Sequence, residues 1–103
     1  MPYVKNEYRY ELSNSLNKLR NTIIKLSEKD VCGILNYVIT DLLTVVPDQL
    51  NDGTWNYSTI NSAVGVLECA KQELYRRLAA PYEDKCINRN GDVSIYEREK
   101  LNG

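Results

Sequence analysis

Apolar positions recur from Leu12 onward as Leu12, Leu16, Leu19, Ile23 and Leu26, at steps of four, three, four and three. That spacing draws a narrow apolar stripe along an amphipathic helix. The spacing predicts a first helix beginning between residues 6 and 13, with Ser13 as a candidate cap and Leu12 at the staple position before it. Lys18, Arg20 and Lys25 then fall on solvated faces, and Tyr3, Tyr8 and Tyr10 belong to an aromatic, charged lead-in. After a connection capped by Ser27 or Asp30, a second set runs Val31, Ile34, Leu35, Val38, Ile39, Leu42, Leu43, Val45 and Val46. It covers about half a helical circumference, as suits the most buried helix of a small bundle. Its β-branched residues suggest a strand, but the run is too long and has the wrong period. Pro47 is expected to stop it.

Residues 48–56 read as a loop, with turn chemistry at Asn51-Asp52-Gly53 and the single tryptophan, Trp55, just after it. Trp55 is expected to lid one end of the bundle, the alternative being a tryptophan at a binding surface. A third helix starts near Ser58, capped by Asn56, Tyr57 or Ser58, with a stripe of Ile60, Ala63, Val64, Leu67, Ala70, Leu74 and Leu78. Lys71 lies inside that stripe, where only its stem belongs. Val66, Cys69 and Ala80 form a second, weaker strip beside Gly65, which suggests a partner helix in this chain or in another copy. Pro81 should kink or end the helix. Asn90-Gly91 then supplies a left-handed stop or, alternatively, the turn of a hairpin pairing residues 85–88 with 93–96. The pattern therefore predicts an all-α protein, a small three- to four-helix bundle with a long, Pro-kinked third helix. It forms one domain over 1–103, with its core at about 12–90 and a frayed tail at 94–103 unless Ile95 and Tyr96 dock.

Composition narrows what such a bundle does. At 103 residues the core is modest, and a chain of this size often gains stability by self-association. Thirteen basic against fourteen acidic residues argue against DNA binding, which needs a basic excess. The absence of histidine removes Ser-His-Asp and Cys-His catalysis and the common zinc sites. Three cysteines, Cys32, Cys69 and Cys86, without metal spacing suggest a reduced, cytoplasmic protein, with Cys69 read as a buried small apolar residue rather than a nucleophile. No uninterrupted apolar run is long enough for a bilayer, so no membrane is expected. Phenylalanine is absent while tyrosine occurs eight times, which fits either half-buried rims or a tyrosine-rich interface for partners or flat ligands.

The densest polar cluster holds Arg76, Arg77, Tyr82, Glu83, Asp84, Lys85, Arg89 and Asp92. Arginine forks meet phosphate or carboxylate with paired charged hydrogen bonds, and tyrosine stacks on a base or bonds a ribose. The same residues also suit a solvated, salt-bridged face, with Glu73 placed four before Arg77 as an ordinary helical partner. Asn36, Tyr37, Asn61 and Glu68, with Tyr75, edge the apolar stripes and form either a polar layer that fixes helix register or an inter-helix pocket. Neither metal spacing nor a glycine-rich phosphate loop is present, so no catalytic residue, cofactor or metal is assigned and an enzyme is not expected.

Two segments, Leu35–Leu43 and Tyr57–Val93, resemble a family of small uncharacterised proteins from tailed bacteriophages, prophages and their bacterial hosts. The resemblance rests on Asn-Tyr-Val-Ile-Thr, Gly-Val-Leu-Glu, Tyr-Arg-Arg, Ala-Pro-Tyr-Glu-Asp-Lys and Asn-Gly-Asp-Val in that order. It covers roughly the last two-thirds of the chain and leaves the start and the 48–56 loop less well matched. A phage-type source implies action by binding in the host cytoplasm. One such class comprises oligomeric sponges that sequester cyclic or ADP-ribose-derived immune signals. On that expectation Arg76, Arg77, Lys85 and Arg89 meet phosphates, and Tyr75 and Tyr82 pack on base or ribose. The rival expectation is a protein-interaction module that contacts a host protein, or an accessory of phage replication or assembly.

Overall fold

The computed structural model describes residues 1–26 and 28–102, with side chains as far as Arg98. The fold is all-α, and no strand occurs among the described residues. In chain order the elements are α1 (Asn6–Leu26), α2 (Val31–Leu42), α3 (Val45–Leu50), α4 (Tyr57–Leu74), a π-helical turn (Tyr75–Ala79), α5 (Ala80–Asn90) and α6 (Ser94–Asn102). They divide into two compact units, Met1–Leu67 and Glu68–Gly103.

In the first unit, α1 begins at Asn6, so Ser13 lies inside the helix and does not cap it. Lys5 accepts the first backbone bonds instead, from Tyr8 and Arg9. The second half of the α1 stripe faces α2: Leu19, Ile23 and Leu26 line one apolar hollow with Ile34 and Val38, where Ile23 is buried and Leu26 stays exposed. Asp30 occupies the N-cap position of α2, whereas the other candidate, Ser27, lies outside the described residues. The Asp30 carboxylate sits over Gly33, where a Cβ would come within 2.5 Å of Oδ1.

Pro47 does not end α2, which stops at Leu42. Leu43 and Thr44 turn the chain, and Val45 opens α3. Pro47 stands in the first turn of α3, where a helix has no acceptor for its N–H groups, and it is fully buried there. Val45 and Val46 consequently belong to α3, and the loop shrinks to residues 51–56. Asn51 and Gly53 both donate their N–H to the Pro47 carbonyl, with Asp52 at φ 49° and Gly53 at φ 82°. The Asn51-Asp52-Gly53 turn is thus present as its chemistry suggests. Trp55 follows it and remains 44% exposed, a loop side chain rather than a lid.

Asn56 caps α4 by a reciprocal pair. Its Oδ1 accepts the Thr59 N–H at 2.8 Å, and Thr59 Oγ1 accepts the Asn56 N–H at 2.9 Å. This is a capping box in which threonine takes the place usually held by Glu or Gln. Thr59, at 2% exposure, and Ala63 are buried on the same side of α4.

By averaged hydropathy the stretch Val31–Leu50 is long and apolar enough to cross a membrane, which the reading of uninterrupted runs missed. Core helices of water-soluble proteins pass the same test but are mostly buried, whereas 6% of this stretch is buried. Asn36, Asp41 and Asp48 interrupt this one.

In the second unit, Pro81 does not end the helical run, and no hairpin forms around Asn90-Gly91, since residues 85–88 and 94–96 are helical. The preceding residues widen into a π turn, in which the Ala80 N–H reaches back five residues to the Tyr75 carbonyl. Pro81 then falls in the first turn of α5, where its missing N–H costs least. α5 ends at Gly91, whose φ of 88° and ψ of 155° are extended and mirror-imaged rather than left-handed helical. Only glycine adopts that region readily. The Gly91 N–H closes on the Ile87 carbonyl at 2.8 Å. Ser94–Asn102 are helical. Asp92 Oδ1 accepts the Val93 N–H, and Tyr96 joins Cys86 and Ile87 around a hollow at the α5–α6 corner, although Tyr96 itself stays exposed.

Candidate functional site

The π turn reorganises the face on which the candidate ligand residues stand. In an uninterrupted α-helix, residues 75 and 83 diverge by nearly a quarter turn. The extra residue of the π turn brings Glu83 round, and the Tyr75 hydroxyl donates a hydrogen bond to its carboxylate. That bond, reinforced by the carboxylate charge, raises the Tyr75 pKa above the ordinary phenol value. Glu83 is the neighbour of Tyr75 that a 3.6-residue wheel misses.

Two shallow hollows share Tyr82 along this face. One, about 510 Å³, is lined by Lys71, Leu74, Tyr75, Leu78, Ala79 and Tyr82 and is almost wholly apolar. The next, about 530 Å³, is lined by Tyr82, Lys85, Asn88 and Arg89 and is more polar. The structure thus brings Tyr75, Tyr82, Lys85 and Arg89 onto neighbouring surfaces, with the Asn88 amide lining the same hollow as the two cations. Arg89 also lies with its Nη2 3.6 Å from Cys86 Sγ.

Arg76 and Arg77 stand on the π turn itself. Glu73 engages Arg76, not Arg77. Arg76 Nη2 lies 2.5 Å from Glu73 Oε1, an i,i+3 pair in place of the anticipated i,i+4 pair. Both spacings bring side chains together on a helix surface.

The residues of the inter-helix pocket set fall in both units. Tyr37 lines the α1–α2 hollow with its ring largely exposed, and Asn36 is exposed one residue before it, its carbonyl accepting from the Thr40 hydroxyl at 2.7 Å. Asn61 is exposed on α4. Glu68 belongs to the second unit, where Gln72 donates to its Oε1 at 3.2 Å and Lys71 Nζ lies 3.4 Å away. The hydrogen bond from Gln72 and then the Lys71 charge lower its pKa. Cys69, expected to be buried, is exposed, as is Cys32. Among the described residues no cluster of histidine, cysteine and carboxylate side chains could hold a metal ion.

Comparison with known proteins places this geometry in a family. The chain belongs to the family described as domain of unknown function DUF6899, whose model matches residues 1–93. The match includes the start and the loop that the sequence resemblance covered poorly. No curated protein and no solved structure matches the chain.

Proposed function

We propose that this protein binds without catalysis, as an assembly of copies of its own chain, and that its ligand is a phosphorylated nucleotide. The observation that carries the reading is the Tyr82–Lys85–Asn88–Arg89 hollow beside the apolar Tyr75–Leu78–Tyr82 surface. Two cations and an amide suit phosphate oxygens, while aromatic and aliphatic surface next to them suits a base or ribose. Tyr75 offers its ring, since its hydroxyl is committed to Glu83. Arg76 would have to leave Glu73 to take part, so the weight falls on Lys85 and Arg89, with Arg77 about two turns before Lys85. The resemblance to phage-borne proteins extends the proposal to its setting: a bacterial cytoplasm, where such an assembly would sequester a nucleotide-derived immune signal.

Calorimetric titration with ADP-ribose and with a cyclic dinucleotide tests the reading. Saturable binding is expected to one of them, weakened more than tenfold by Lys85→Glu with Arg89→Glu. Equal binding by wild type and variant, or no binding of either probe, removes the site.

A second reading rests on a different observation. Val66 is 55% exposed and Cys69 is exposed, so the weaker apolar strip of α4 is open to a protein partner. A stoichiometric host protein captured by wild type and lost with Val66→Glu would support an interaction module.

A further inference from the structure

We infer that the apolar faces of the first unit are an interface between copies of this chain, and that the unit is stable only when a second copy covers them. The inference rests on the assembled state in the proposed function, not on the ligand.

Leu12, Leu16, Leu19, Ile23 and Leu26 have the alternating spacing of a coiled-coil seam. α2 shares a hollow with the last three of these, burying Ile23 while Leu26 stays 69% exposed. Leu12 and Leu16 continue the seam beyond that coverage, and they stand 49% and 47% exposed. Nothing about an isolated amphipathic helix stabilises such residues on a solvent face; the helix forms because its stripe is buried. The same shortfall appears elsewhere in the unit. Leu35 and Ile39 of α2 and Ile60 and Val64 of α4 are all exposed. Ile23, Ala63 and Pro47 are what the unit buries of its described apolar residues.

Areas give the scale. The chain exposes 9351 Å². Two independently folded units of 67 and 36 residues would together expose about 7,100 Å² by the scaling of surface with mass. The excess is about 2,200 Å² per chain over both units together; half of it on the first unit would bury about 2,200 Å² in a pair, which falls in the range of obligate dimers. A weak or transient contact would need far less.

The occupant is a second copy rather than a lipid surface. A seam two residues wide matches a facing helix, whereas a bilayer wets a broad apolar face. The most apolar stretch, Val31–Leu50, carries Asp41 and Asp48, which hydrocarbon would penalise heavily. Copies of one chain also need no further gene product, and the seam residues are self-complementary leucines.

Sedimentation equilibrium and thermal melting over a hundredfold range of protein concentration test the inference. The expected result is a discrete multiple of 11.9 kDa whose melting temperature rises with concentration. Leu12→Gln with Leu16→Gln should weaken association at least tenfold, because neither side chain is buried within its own unit. Ile24→Gln, at an exposed α1 position off the seam, should assemble like wild type. Lys85→Glu with Arg89→Glu should also assemble normally, which separates a failed ligand site from a failed interface. A monomer with concentration-independent melting overturns the inference. So does a seam variant that assembles like wild type, and so does co-sedimentation with phosphatidylcholine vesicles in place of self-association.

Discussion

Replacing Asn56 by alanine removes the acceptor for the Thr59 N–H, which Asn56 Oδ1 holds at 2.8 Å at the start of α4. Loss of such a cap ordinarily costs about 1 kcal/mol, within a range of roughly 0.5–2. Here the cost belongs in the upper half of that range, because Thr59 is 2% exposed and water cannot easily replace the lost acceptor. An expected loss of about 1.5 kcal/mol corresponds to roughly a tenfold change in the folding equilibrium. Thr59→Val, which keeps the shape but removes the hydroxyl, deletes the reciprocal bond to the Asn56 N–H and the bond from Thr59 Oγ1 to the Asn56 carbonyl. Because the two residues act as one motif, the double variant should cost less than the sum of the singles. Urea denaturation at a fixed protein concentration measures all three values by linear extrapolation. Fixing the concentration matters, because association would otherwise shift the midpoint. If Asn56→Ala lies within a few tenths of a kcal/mol of wild type, or if the two changes simply add, the cap is not acting as described.

Gly91→Ala should destabilise the α5–α6 corner by about 1–3 kcal/mol, since φ 88° with ψ 155° is strained for any residue with a Cβ; amide exchange at the 86–96 corner checks this, and unchanged protection would count against it. Tyr75 should ionise above the ordinary phenol range, and Glu83→Gln should return it toward that range, as followed by phenolate absorbance. The sign follows from the raised value: the Tyr75–Glu83 bond supports the π turn at neutral pH and is lost as pH rises through the Tyr75 pKa. Glu68 behaves oppositely. Its lowered value means that its contacts with Gln72 and Lys71 persist above the ordinary glutamate pKa and fade as pH falls through the lowered one, which carboxylate NMR shifts would follow.

Much of this fold is written in the spacing of apolar residues, because an α-helix forms around the stripe it must bury. The stripes of α1, α2 and α4 and the turn at Asn51–Gly53 are all visible that way. The misreadings each have a local physical cause. Proline reads as a stop signal at Pro47, yet it sits in the first turn of α3, where no N–H is needed, while the kink or end expected at Pro81 takes the form of a π turn within a continuous helical run. The π turn is invisible to a wheel of fixed period, so the approach of Glu83 to Tyr75 could not be drawn from it, while Glu73–Arg76 differs from the anticipated pair by a single position. Burial was overestimated at Cys69 and along Leu12 and Leu16, because a periodic pattern tells which face of a helix is apolar but not what covers it. Of the candidate ligand residues, Tyr75, Tyr82, Lys85 and Arg89 were placed together by their spacing in one helical run. The set Asn36, Tyr37, Asn61 and Glu68 required knowledge of how separate helices pack, which spacing does not contain.

Native mass spectrometry of the protein, purified gently from cells that make nucleotide immune signals, tests the central claim most directly. The account predicts a discrete multiple of 11.9 kDa carrying additional mass of nucleotide size, with that extra mass lost in the Lys85→Glu, Arg89→Glu variant while the multiple is kept. A bare 11.9 kDa monomer that takes up no nucleotide would contradict both the assembly and the ligand.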